Sequence, residues 1–325
     1  MDPLLRLQDF SAAFDTARGL APAVDGVSFE LAPGEVFGLV GESGCGKTVL
    51  SLGILGLIPR PGRISGGRAL FAGRELTAMS QEELRALRGA EIAMIFQEPM
   101  TALNPVMRVG AQLAEPLLLH KGLDKRQAEA RCLELLEQVG LPDPRAVLRA
   151  YPHELSGGMR QRVMIAMALG CGPRLLIADE PTTALDVTIQ KQILELLSGL
   201  AAERGLAMLF ITHNLGVVAQ TCHRVGVMYA GRLVEVSPVE ALFAKALHPY
   251  TQGLLASLPR LGSRHERLTP VAGAVPPLTA LPAGCHFHPR CPFVMERCRR
   301  EIPPVFRPEQ GREVRCWLHA EGGRA

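Results

Sequence analysis

The sequence predicts an α/β fold: a largely parallel sheet covered by helices, followed by a small C-terminal cysteine-containing module. Two patterns predict it. Short apolar runs bounded by Gly, Pro or charge alternate with segments of helical periodicity, as buried strands and crossover helices do. A proline-rich break then isolates a tail that carries four of the eight cysteines.

In chain order, the strand candidates are residues 36–40, 92–96, 175–178, 207–211 and 225–229, short and almost uniformly apolar. Helices are expected over 48–57, after the capping box Ser80-Gln81-Glu82-Glu83, over 125–139 and over 187–200, where apolar residues recur at helical spacing. Ser237-Pro238-Val239-Glu240 combines an N-cap, a proline at the first helical position and Glu at N3, so a short helix should open there. Prolines at 259, 270, 276, 277 and 282 then forbid regular helix or central strand and read as an extended connector. No internal repeat or sustained heptad run is present, which removes solenoids and long coiled coils.

The 325 residues hold 35 Lys and Arg against 32 Asp and Glu, a net +3 that is too mild for a surface built to wrap nucleic acid. An apolar fraction of 47% excludes general disorder, and the length suits one large domain with a smaller one. The longest uncharged apolar runs, 48–59 and 163–173, fall short of the ~18 residues that cross a bilayer. Met1-Asp2-Pro3 opens no basic-then-apolar leader, so a cytosolic chain is expected, its cysteines thiols or metal ligands rather than disulfides.

Gly41-Glu42-Ser43-Gly44-Cys45-Gly46-Lys47-Thr48 fits G-x-x-x-x-G-K-[ST] between a predicted strand and a predicted helix, the context the motif requires. Its glycines let successive N–H groups curl toward phosphate oxygens at the positive end of a helix dipole. Lys47 would reach the β- and γ-phosphates and the Thr48 hydroxyl would ligate Mg²⁺. Cys45 lies inside this loop, so its alkylation should block nucleotide entry. A second strand, Leu175-Leu176-Ile177-Ala178, delivers Asp179 and Glu180 at its carboxyl end, where open parallel sheets bind ligands. Asp179 suits Mg²⁺ through water; Glu180 suits orienting or deprotonating the attacking water. No Asn-Lys-x-Asp guanine reader is present. Ser156-Gly157-Gly158 opens an apolar helix that ends near Leu169 and offers a further set of bare amides.

The run Leu155-Ser156-Gly157-Gly158-Met159-Arg160-Gln161-Arg162 resembles the signature sequence of ABC ATPases, with Met159 where Gln is common. Gln97 after its strand resembles the Q-loop, Ala184-Leu185-Asp186 the D-loop and His213 the switch histidine. By this resemblance residues 1–245 form a P-loop NTPase ABC-ATPase domain with a helical subdomain at about 99–154. The resemblance further implies a head-to-tail pair of ATPase domains, self or paralogue. In such a pair Ser156, Gly157 and Gly158 act on the neighbour's ATP. ATP then closes the pair and hydrolysis opens it. Gln97 is implied at Mg²⁺ and in catalysis, Asp186 at the nucleotide, His213 at the γ-phosphate and Phe14 on adenine, with Phe10 the other aromatic residue in reach.

Cys285, Cys291, Cys298 and Cys316 are separated by five, six and seventeen residues, which lacks the close pairs of zinc knuckles. From Cys285 onward eight Arg face five Glu, surroundings that suit an anionic [4Fe–4S] cluster. Zinc, or thiols that merely pack, remain alternatives on spacing alone. The segment 246–325, with His248-Pro249-Tyr250-Thr251, the connector and Gly284-Cys285-x-x-x-Pro289-Arg290-Cys291-Pro292, resembles the C-terminal region of dipeptide/oligopeptide-importer ATPases. Members of that group can hold a [4Fe–4S] cluster on such cysteines.

The resemblance implies an energy-coupling ATPase, peripheral on the cytoplasmic face of the plasma (inner) membrane. Its expected partners are two permease subunits and, indirectly, an extracytoplasmic binding protein, with no nucleic acid. Nickel, glutathione or another small solute are alternative cargoes to peptides. A soluble ABC ATPase acting on DNA or ribosomes is the rival. DNA-repair relatives insert long coiled coils between phosphate loop and signature, whereas Lys47 and Ser156 lie only 109 positions apart. A metabolite kinase would leave the Ser-Gly-Gly turn without a role.

Overall fold

The computed structural model describes residues 2–17, 19–97, 102–183, 185–258 and 271–320. These contain strands β1 (Leu5–Thr16), β2 (Gly19–Leu31), β3 (Val36–Val40), β4 (Gly62–Phe71), β5 (Arg74–Glu75) and β6 (Ile92–Ile95). Then follow β7 (Leu175–Asp179), β8 (Ala207–Thr212), β9 (Arg224–Tyr229), β10 (Arg232–Pro238), β11 (Phe306–Glu309) and β12 (Arg312–Val314). The chain divides into two units, one of residues 1–4, 32–35 and 78–211, the other of 5–31, 36–77 and 212–325.

In the first unit β6, β7 and β8 pair in parallel. All residues of β7 and β8 are buried, which accounts for their unbroken apolar runs. Helices Val109–Lys121, Lys125–Gln138 and Pro144–Arg149 occupy most of the predicted helical subdomain; its first residues, 99–101, lie outside the described set. The buried Gln112 amide fastens the lead-in to these helices by donating to Asn104 O and Met107 O. Asp124 caps the next helix, accepting from Gln127 N while the Gln127 side chain accepts from Asp124 N. Helix Val187–Arg204 starts on an Asp186 cap and stops at Gly205, whose φ of 61° is a left-handed terminus that glycine adopts without strain.

The second unit holds an antiparallel sheet in the order β2-β1-β4-β5. None of these strands is among those the sequence predicts. Register shifts at Leu7/Phe10 and Phe10/Ala12 break the two-residue alternation of β1, and Asp9 sits at a φ of +47° within the bulge. Elsewhere in this unit β3 pairs in parallel with β9, and β9, β10, β12 and β11 continue antiparallel. Strand pairing in this unit is therefore mixed rather than largely parallel.

Two expectations need correction. Ser237 does not cap a helix: it is buried in β10 opposite Val225, and the helix Val239–Ala244 starts one residue later, behind Pro238, with no side-chain cap. The ladder has claimed the backbone that a cap would use. Nor does the tail stand apart, since β12 extends β10 and Phe287 is buried in the same apolar cluster as Tyr229 and Tyr250. No described helix is long and apolar enough to cross a membrane.

The cap at Asp124 yields a direct expectation. Asp124→Ala should destabilise the protein by about 1 kcal/mol, seen as a lower denaturant midpoint with unchanged slope; an unchanged midpoint contradicts the assigned cap.

Candidate functional site

The glycine loop follows β3, whose five residues are all buried, and runs into the helix Lys47–Ile54. Gly46 is the helix N-cap at φ 107° and supplies no side-chain hydrogen bond. A Cβ there would stand 2.1 Å from Ala23 O, so only glycine fits. The helix therefore starts with backbone donors that no capping side chain has taken. Lys47, only 6% exposed, turns its Nζ back along the loop and donates to Gly41 O at 2.8 Å and Glu42 O at 3.1 Å. Ser43, Gly44 and Thr48 are exposed along the loop.

Cys45 is fully buried, with Lys47 Nζ 3.6 Å from its sulfur. Burial raises its thiol above the ordinary range, against the opposing pull of Lys47. Its place in the loop marks this thiol for alkylation in the sequence; the fold closes it from solvent.

In the other unit Asp179 is buried at the end of β7 and Glu180 follows at a φ of +47°, strained for a non-glycine residue. Glu180 is held from two sides. Gln97 Nε2 donates to Glu180 Oε2 at 3.3 Å and Thr183 Oγ1 donates to the same oxygen at 2.8 Å. The structure thus brings Gln97 and Glu180 together, and adds Thr183, which the sequence reading missed. A hydroxyl three residues beyond a strand-end carboxylate was the available signal.

Ser156 caps the helix Gly157–Leu169, its hydroxyl accepting from Met159 N. The same unit places Asp186 at the cap of Val187–Arg204, accepting from Ile189 N. Ile189 also meets the Ser-Gly-Gly turn: a Cβ on Gly158 would lie 3.0 Å from Ile189 Cγ2. The Ser156–Gly158 turn therefore lies against the start of the helix Val187–Arg204; Ala184 lies outside the described residues.

His213 is exposed after β8, and Asn214 caps the following helix by accepting from Gly216 N. Phe10 is fully buried, near enough to clash with any side chain at Gly53, and is removed as an adenine platform. Phe14 is half-buried on β1 opposite Ala21 and Gly62.

The four tail cysteines share one neighbourhood. Cys285 N donates to Cys298 O at 2.9 Å, and the thiols act on one another electrostatically. Burial, reinforced by the neighbouring cysteines, pushes Cys285 up to about 11 and Cys316 up to about 12. His286, His288 and His319 each engage a backbone oxygen, on Ala230, Cys285 and Leu247. Among the described residues, no three His, Cys, Asp or Glu side chains are gathered as a metal ion requires. As placed, the thiols do not form a closed ligand set.

Buried strand, glycine loop and uncapped helix define a P-loop nucleotide-binding protein. The sequence matches the ABC transporter family over residues 24–183 and the C-terminal region of oligopeptide/dipeptide transporters over 234–298. The chain belongs to the ABC transporter family, as an ABC-type ATPase with the oligopeptide/dipeptide C-terminal region. It is 50% identical to the dipeptide transport ATP-binding protein DppD of Bacillus subtilis, over 98% of this chain and 95% of that one. It is 47% identical to the oligopeptide transport ATP-binding protein AppD of the same organism, over 99% of both. The dimeric post-hydrolysis structure of the ATP-binding cassette MJ0796, bound to ADP and Pi, aligns with a TM-score of 0.66 at 25% identity. That alignment covers 72% of this chain and 98% of the other.

The burial of Cys45 sets a reactivity. In the native, nucleotide-free protein at pH 7, N-ethylmaleimide should label Cys45 at least ~10-fold more slowly than in the urea-unfolded chain, read by peptide mass mapping. Equal rates would contradict the closed position.

Proposed function

We propose that this chain is the ATP-hydrolysing, energy-coupling subunit of an ABC importer for dipeptides or oligopeptides. The observation that carries the reading is the near-full-length likeness to DppD and AppD, which takes in the tail as well as the cassette. Residues 1–245 would be the motor and 246–325 the extension belonging to peptide systems. Its partners would be a second such ATPase, self or paralogue, two permease subunits and, through them, an extracytoplasmic binding protein. The dimeric form of the MJ0796 cassette supports the pairing. The chain would then lie peripherally on the cytoplasmic face of the plasma membrane.

The chemistry follows from the residues. Amides of Gly44 to Thr48, at the positive end of the helix Lys47–Ile54, would cradle the phosphates, and Lys47 would exchange its bonds to Gly41 O and Glu42 O for phosphate oxygens. Thr48, Asp179 and Gln97 offer the hard oxygen donors that suit Mg²⁺, which when bound neutralises phosphate charge. Glu180 would take a proton from the attacking water, its carboxylate aimed by Gln97 and Thr183. In a head-to-tail pair Ser156, Gly157 and Gly158 would meet the second protomer's nucleotide, with Asp186 beside them, His213 at the γ-phosphate and Phe14 on adenine.

For the tail, we propose a [4Fe–4S] cluster on Cys285, Cys291, Cys298 and Cys316. Four mutually interacting thiols in an arginine-rich segment support it, although they are not gathered as ligands here. Anaerobically purified protein should be brown and carry about four iron atoms per chain; colourless protein without iron would overturn it.

Glu180→Gln should bind MgATP yet lose at least ~100-fold in turnover, general acid–base catalysis being worth roughly that much. Turnover within a few-fold of the parent would remove Glu180 from the role. Lys47→Ala should lose MgATP binding itself, checked by calorimetry. ATP hydrolysis should rise on reconstitution with the peptide permease; stimulation by nucleic acid instead would contradict the transport reading.

A further inference from the structure

The phosphate loop is gripped at its second residue, Glu42, by side chains from the C-terminal region. Arg290, directly before Cys291, forms a two-pronged ion pair with Glu42, the second residue of the loop: Nη1 to Oε2 at 2.7 Å and Nη2 to Oε1 at 3.0 Å. The Arg290 side chain is 4% exposed. Its other donors are taken by Ala272 O at 2.8 Å, Val271 O at 3.1 Å and the Tyr229 hydroxyl at 3.4 Å. The guanidinium also lies over the rings of Tyr229 and Phe287, 5.6 Å and 5.9 Å from their centres. Such a buried, planar fork fixes a carboxylate in position as well as balancing its charge.

The same loop residue is held at its backbone. Glu42 N donates to the Tyr250 hydroxyl at 3.0 Å, and Glu42 O accepts from Lys47 Nζ at 3.1 Å. Tyr250 is itself fully buried, edge-on to Tyr229 at 4.7 Å, with its amide donating to His248 Nδ1 at 3.0 Å. Amide, carbonyl and carboxylate of Glu42 are thus each occupied. Two of the three restraints come from residues more than two hundred positions downstream.

Glu42 poses an electrostatic problem. A carboxylate two residues from the loop's first exposed glycine sits beside the place where a polyanion must bind, and like charges repel over several ångströms at a partly buried site. We propose that Arg290 is a positioning residue for MgATP: it neutralises Glu42 and pins its carboxylate, so that nucleotide affinity depends on the C-terminal region. Tyr250 acts with it by turning the Glu42 amide out of the cradle. The inference rests on the reading of residues 41–48 as the triphosphate cradle, and it adds a determinant of affinity outside the cassette motifs.

The test is steady-state MgATPase kinetics on the full chain with Arg290→Gln, Arg290→Lys, Glu42→Gln and the double variant Arg290→Gln/Glu42→Gln. Arg290→Gln should raise KM for MgATP roughly 10-fold, with kcat within about twofold, because the unpaired carboxylate opposes binding more than chemistry. The double variant should return most of that loss, since it removes the uncompensated charge, and the KM difference should shrink in high salt. Glu42→Gln alone, leaving Arg290 positive beside the loop, should lower KM. A parental KM in Arg290→Gln, or a double variant as impaired as the single, overturns the proposal. Should Arg290→Gln fail to fold, Glu42→Gln decides, a raised KM refuting it. Failure of the cradle itself is separable: it would appear as MgATP binding retained by Lys47→Ala, whatever Arg290 does.

Discussion

Backbone amides at the start of the helix Lys47–Ile54 are the constraint on which the rest depends. Other helix starts are closed by their own side chains, Ser80, Asp124, Asp143, Ser156 and Asp186 each accepting from an amide of the first turn, whereas Val109–Lys121 and Val239–Ala244 carry no side-chain cap but follow no glycine loop. Gly46 supplies no such acceptor. A helix start left uncapped at the end of a fully buried strand, with a lysine folded over it, is built to take an anion from outside. The Ser156 turn differs in kind. Its hydroxyl already serves Met159 N, so it is a self-capped helix whose glycines keep its surface low.

Much of this was legible because the chemistry is local. Eight consecutive residues encode the phosphate loop, and a strand that ends in Asp179 and Glu180 announces itself by an apolar run meeting charge. Helix caps at Ser80, and strands at 36–40 and 207–211, were readable for the same reason. Contacts that depend on the fold were not. The β2-β1-β4-β5 sheet is hidden by bulges that destroy alternation, and Ser237 carries a valid capping pattern that the β9–β10 ladder overrides. Phe10 and Phe14 are equivalent in sequence; only burial separates them.

The tail shows the same limit from another side. Its cysteines advertise metal chemistry, yet its arginine does the work visible in the fold, reaching the phosphate loop 248 positions upstream. No local pattern encodes that pairing. The ion pair depends on β10 and β12 drawing the tail alongside β9, so that Phe287 and Arg290 come to rest against Tyr229. An accessory region with its own compositional signature is thus part of the scaffold of the nucleotide loop, and losing it would remove support from the cassette as well as from the tail.

The most direct test of the central claim is amide hydrogen–deuterium exchange of the parent protein with and without MgATP. The uncapped helix start predicts that added MgATP slows exchange most strongly over residues 43–50, where the amides gain phosphate acceptors. Bound MgATP that leaves those amides exchanging at the nucleotide-free rate would contradict the account.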